Sequence, residues 1–205
     1  MSRISKTPAI YLAASAGIIL SIVLSVHGLT LHDITNGVRM TACVAFLCFL
    51  MVYLARPVRE LTGYKELMAS RRTLGLCVAI ALSVHFGFVI AFFAVSSESV
   101  FENMPRLIGN SLGVVVIYAM AATSSNTAMQ LLGRWWKRLH RVGMHYLWFL
   151  FLVSYAVALQ NQLSLTTHKA AMSAVFIVVL VSGAGLRFFL WARRKISFAR
   201  NGAQA

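Results

Sequence analysis

Charge is scarce in this sequence: charged residues make up 12% of 205, and only five of them are Asp or Glu. Soluble domains carry roughly 25% charged residues, so this chain cannot clothe a water-facing surface of ordinary size. Proline is scarcer still. Pro8, Pro57 and Pro105 are the only three, each at the end of an apolar run, which argues against the broken helix pairs from which transporters build their substrate sites. Three cysteines, Cys43, Cys48 and Cys77, lie inside apolar runs with no CxxC spacing, excluding a disulfide framework and the usual thiolate metal centre. Five residues apart on a helix, Cys43 and Cys48 point about 140° away from each other. They read as small packing residues. No GxGxxG fingerprint occurs, and the apolar runs leave no room for a nucleotide- or flavin-binding domain.

Apolar residues fill the space that charge leaves, at 59% of the chain. A helix crossing a bilayer needs about 20 mostly apolar residues, and six runs of that kind fall near 10–29, 38–55, 73–96, 107–128, 142–160 and 170–192. The first is too long for a signal-peptide core and lacks a small-residue cleavage site after it, so it reads as a spanning helix. The expectation is an all-α polytopic membrane protein: residues 1–205 form a single transmembrane domain, a six-transmembrane-helix bundle.

The formal net charge of +14 invites a nucleic-acid reading, but its distribution favours topology instead. Arg3, Lys6, Arg56, Arg59, Lys65, Arg71, Arg72, Arg134, Lys137, Arg138, Arg141, Arg193, Arg194, Lys195 and Arg200 share one side of six spans. The other side holds Arg39, Arg106 and Lys169 beside Asp33, Glu98 and Glu102. By the positive-inside rule the first group is cytoplasmic, together with both termini. This places the chain in a bacterial inner membrane, in contact with lipid and with no nucleic-acid partner. Trp135, Trp136 and Trp191 lie beside these cations and suit aromatic anchors at the inner interface. Arg187, inside the last span, suits a side chain that snorkels inward.

Six histidines divide by position. His27, His32 and His168 fall at or near the outer face, whereas His85, His140 and His145 lie on or beside spans three and five. An ionisable group at depth is a functional hypothesis by default, as a haem ligand, proton relay or metal site. The bland alternative is a neutral imidazole bonded to a neighbouring helix. Spans three and five run in the same direction, and facing imidazoles on such helices can hold haem iron. His85 lies about 20 Å in from Arg72, and His145 only about 6 Å in from Arg141. If Trp135 marks the boundary instead, His145 rises to about 15 Å and can face His85. Tyr146, Trp148, Phe149, Phe151 and Tyr155 can line a haem or quinone pocket, although core packing accounts for them as well. Asn110, Asn126, Thr127 and Gln130 can bond between helices, with Gly109 and Gly113 giving close approach.

Arg71-Arg72-Thr73-Leu74-Gly75-Leu76 followed by His85, Thr123 to Gln130, and Gly133-Arg134-Trp135-Trp136-Lys137-Arg138-Leu139-His140 together carry a resemblance, joined by Arg56-Pro57-Val58-Arg59-Glu60-Leu61-Thr62-Gly63. Over roughly 38–195 the chain resembles the ferric-reductase-like transmembrane domain family, and within it the haem-binding membrane subunits of periplasmic methionine sulfoxide reductase systems. The resemblance implies haem b held by His85 and His140, and electron transfer from a cytoplasmic flavin (FMN) reductase or the quinone pool to a periplasmic redox partner. Such a chain is an electron-transfer subunit of an oxidoreductase rather than a self-sufficient enzyme. Arg71, Arg72 and Arg138 would pair with haem propionates or a flavin phosphate, with anionic-lipid contact as the plainer account.

The family carries a second span-five His about thirteen residues past the first, where this chain has Val153. Three arrangements then stand side by side: His85 binds iron without a second His, His145 serves as its partner, or a haem site has been lost. The last leads to a second functional reading, a degenerate, non-catalytic membrane scaffold or assembly partner.

Overall fold

The computed structural model describes residues 29–96, 104–162 and 167–202, and no strand occurs among them. The helices are α1 (Leu31–Thr62), α2 (Glu66–Ala69), α3 (Arg71–Val95), α4 (Met104–Ala122), α5 (Asn126–Leu132), α6 (Arg134–Gln162) and α7 (Thr167–Gly202). Four of them, α1, α3, α6 and α7, are long and apolar enough to cross a bilayer, and there are five if the bent pair α4 and α5 is counted as one span. The run at 10–29, with His27, lies outside the described residues except for Leu29.

Local chemistry sets the helix ends. Thr30 opens α1 with a capping box: its Oγ1 accepts from the Asp33 N–H at 3.2 Å, and Asp33 Oδ2 accepts from the Thr30 N–H at 3.1 Å. Both donors would otherwise lack a partner in the first turn. At the other end Gly63 takes φ +74° and donates its N–H to Arg59 O, a left-handed stop that glycine reaches without strain.

The fourth span departs from expectation. Rather than continuing to residue 128, the helix stops at Ala122 and the chain turns by 103° into α5. Three hydroxyls in succession cause the break. Thr123 Oγ1 donates to Ala119 O and Ser124 Oγ to Ala121 O, both at 2.7 Å, while Ser125 Oγ accepts from Ala128 N–H as the cap of α5. Side chains that bond the backbone in this way compete with the helix ladder. Asn126, Thr127 and Gln130 therefore sit on α5, beyond the turn, and not on α4.

The chain forms two compact units, Met1–Val52 with Ser70–Leu150 and Tyr53–Ala69 with Phe151–Ala205. In the first, α1 and α3 pack antiparallel along one seam. Ile34 packs against Ala91 and Phe92, a Cβ at Gly37 would meet the Phe88 ring, and Thr41 bonds His85. Farther along, Cys48 on α1 lies near Cys77 on α3. Each step advances three to eight residues, in spacings that keep contacts on one face.

Between α3 and α4, buried Ser83 donates to Ala79 O and accepts from Tyr118 OH, each at 2.7 Å. The α4 and α6 helices meet through missing side chains. A Cβ at Gly113 would collide with Leu150, and one at Gly143 with Met120. Tyr146 OH donates to Gly109 O at 2.9 Å. Small residues allow such close approach where lipid supplies no hydrophobic drive between helices.

In the second unit α1 and α7 run parallel. Arg194 donates to both Glu60 carboxylate oxygens at 2.8 and 2.7 Å, and Arg56 Nε reaches Glu60 at 3.0 Å. Pro57 is not at a helix end as its position suggested; it lies inside α1, fully buried. Having no N–H, it cannot donate to the carbonyl four residues back, that of Tyr53. Arg187 Nη1 donates to that oxygen at 3.4 Å, with its guanidinium 4.3 Å from the Tyr53 ring centroid. The arginine does not snorkel. It supplies the hydrogen bond that proline removed, and Gly183, one turn earlier, lets Leu54 and Tyr53 close in.

Arg187→Leu removes that donor beside a buried helix and should cost about 1–3 kcal/mol. Adding Pro57→Ala returns an N–H to the ladder, so thermal unfolding of the double variant should lie above that of Arg187→Leu alone.

Candidate functional site

Three of the four motifs that stand apart in sequence meet at one end of the first unit. Trp136, on the second residue pair of α6, donates Nε1–H to Thr123 O at 2.8 Å and fixes α6 against the turn that follows α4. Its ring stacks on His140 one turn later, 4.3 Å between centroids and tilted by 32°. Thr123 Oγ1 lies 3.3 Å from His140 Nε2. Because the threonine proton goes to Ala119 O, the hydroxyl accepts from the ring. His140 thus carries its proton on Nε2 and its lone pair on Nδ1.

Arg71 and Arg72 open α3 at the same place. The charge of Arg71 bears on the His140 ring, and Arg72 Nη1 reaches Asn126 Oδ1 at 3.5 Å. Arg138 is not part of this group: its guanidinium sits 4.9 Å over Trp135, and both residues are exposed. Trp135 and Trp191, the latter 4.6 Å from Lys195 Nζ, keep the character of exposed anchors. Trp136 does not, being half-buried and bonded.

His85 lies elsewhere. Fourteen residues of unbroken helix separate it from Arg71, a rise of about 21 Å. The two imidazoles therefore belong to different levels and cannot share one iron. His85 Nδ1 is 3.1 Å from Thr41 Oγ1, whose own proton goes to Gly37 O at 2.7 Å. The hydroxyl accepts here too, so His85 holds its proton on Nδ1 and its lone pair on Nε2. His145 is exposed and donates Nδ1–H to Arg141 O at 2.7 Å, a local bond that leaves the lone pair on Nε2. Val153 is 41% exposed and offers no donor atom.

Nothing in the sequence singled out Thr41 or Thr123. A threonine opposite a histidine becomes visible only when helix registers are known. The signal that was present is the hydroxyl run Thr123-Ser124-Ser125, which marks the turn. Among the described residues no cluster of three His, Cys, Asp or Glu gathers as a metal site. Any iron held here would take its other ligands from a macrocycle, and single imidazoles with their second nitrogen engaged suit that chemistry. His85 fits as it stands. His140 fits through Nδ1, or through Nε2 by exchange of its 3.3 Å contact, which is at the long end for a hydrogen bond.

Apolar helices of this length describe a class of polytopic membrane protein, and the sequence profile of the ferric reductase like transmembrane component family matches residues 41–153. The chain belongs to that family. It is 28% identical over 177 residues to the protein-methionine-sulfoxide reductase heme-binding subunit MsrQ of Bordetella pertussis, a match covering 82% of this chain and 81% of the relative. The subunits of the same name from Bordetella parapertussis and Bordetella bronchiseptica match at the same identity and coverage. No solved structure matches.

Trp136→Phe keeps the stacked ring and deletes its N–H, leaving a half-buried carbonyl at Thr123 short of a partner. A loss of about 1 kcal/mol is expected, seen as a melting temperature lower by about 2–4 °C.

Proposed function

We propose that this chain is a haem-binding electron-transfer subunit of six transmembrane helices in the bacterial inner membrane. Its termini lie in the cytoplasm, and it carries electrons from a cytoplasmic flavin (FMN) enzyme or the quinone pool to a periplasmic acceptor. The observation that carries the reading is His85: an imidazole on an apolar helix, with Nδ1–H accepted by Thr41 Oγ1 and its lone pair on Nε2. A histidine that ligates a metal gives its other ring N–H to an outer acceptor in this way. Membership of the family and likeness to subunits named as heme-binding support it.

Haem b, when bound, supplies a one-electron iron couple that the side chains lack. His85 is the ligand in α3, and His140 the ligand near the basic end of α6. His145 is the alternative, since its Nδ1–H is also given to an oxygen acceptor. Arg71 and Arg72, on the His140 level, offer cations to propionates or to a flavin phosphate. Arg138, on Trp135 at the surface, contributes charge at the lipid interface. With the basic loops inside, α3 and α6 point outward, so the His140 level faces the donor and the His85 level the acceptor.

Val153 favours a second reading, a scaffold that has kept the fold and lost a haem. The two readings part on one measurement. Protein purified from haem-replete cells should show the Soret and α bands of reduced b haem, weakened in His85→Ala and in His140→Ala. A colourless preparation would overturn the electron-transfer reading and leave the scaffold.

A further inference from the structure

We propose that Thr41 is the positioning residue for His85, holding one tautomer and one ring orientation and raising the electron donation of the imidazole. The inference rests on His85 as an iron ligand. It begins with the proton inventory of one hydroxyl. Thr41 Oγ1 lies 2.7 Å from Gly37 O and 3.1 Å from Val38 O, both carbonyls on its own helix. A hydroxyl has a single proton, and these acceptors take it. Toward His85 Nδ1, at 3.1 Å, only its lone pairs remain. Thr41 therefore acts as an acceptor and not as a switchable partner.

The seam around this contact resists sliding. One turn from Thr41, the Phe88 ring fills the space over Gly37 so closely that a Cβ there would collide with it. A further turn on, Ile34 packs against Ala91 and Phe92. A shift of α1 along α3 would drive the Phe88 ring into backbone, so the separation of Oγ1 from Nδ1 is fixed by packing on one side. Threonine suits the place because its hydroxyl bonds the preceding turn in a helix, and its methyl leaves few other rotamers. An acceptor at Nδ1–H makes the ring a stronger donor at Nε2 and fixes its plane, the general effect of an outer partner on a histidine ligand. A stronger donor favours the ferric state and lowers the potential of the couple.

The test uses the full chain, expressed in haem-replete cells and purified in detergent, as wild type, Thr41→Val, Thr41→Ala, Thr41→Ser and His85→Ala. Haem per protein, reduced-minus-oxidised spectra and redox titration are read for each. Thr41→Val should bind haem about 10-fold more weakly and show a raised midpoint potential, with Thr41→Ser restoring both. Thr41→Ala lacks the hydroxyl without the added methyl packing and answers the same question if the valine variant does not fold. Wild-type potential and haem retention in the valine or alanine variant, alongside loss of haem in His85→Ala, would overturn the role of Thr41 alone. An unchanged spectrum in His85→Ala would overturn the ligand reading and the role of Thr41 with it.

Discussion

In hydrocarbon no water completes a hydrogen bond, so every polar group on a spanning helix has to find its partner on the protein. That constraint organises this chain. Arg187 bonds Tyr53 O where Pro57 has broken the ladder, and Trp136 bonds Thr123 O where the hydroxyl run has ended α4. Ser83 and Tyr118 bond each other, and Tyr146 bonds the exposed-by-glycine carbonyl of Gly109. Each pair joins two helices at one register, and together they do the fixing that a hydrophobic core does in water.

The same constraint prepares the histidines. A threonine on a helix gives its proton to the turn before it, and so meets a neighbouring imidazole as an acceptor. Thr41 does so for His85 and Thr123 for His140, yet to opposite nitrogens. The first arrangement presents Nε2 and the second Nδ1. One residue type in one backbone setting thus yields two chemically different histidines, and the difference comes from the direction in which each ring approaches.

Several residues read from sequence as interface or packing residues acquired specific roles. Trp136 belongs to the His140 group, whereas its neighbour Trp135 stacks with Arg138 at the surface. Arg187 is a backbone partner. Pro57 lies within α1 because the helix runs on past the apolar segment to Thr62, closed there by Gly63. Val153 stays a departure from the family pattern, with no histidine on α6 beyond His145.

Composition and run length by themselves determined an all-helical chain written for lipid, because burying a backbone in hydrocarbon leaves helices of about 20 residues as the solution open to such a sequence. They also placed four of the long helices, and the Arg71-Arg72, Thr123 to Gln130 and Gly133 to His140 segments, separate in sequence, are the ones that the fold brings together. Hydropathy could not see the turn at Thr123, since hydroxyl residues continue an apolar run until their side chains bond the backbone. Nor could spacing tell which histidine meets which helix. Level along a helix follows from counting residues, but partner and tautomer depend on the register between helices. Tertiary packing alone decided that, through Gly37 beneath Phe88, Gly113 beneath Leu150 and Gly143 beneath Met120.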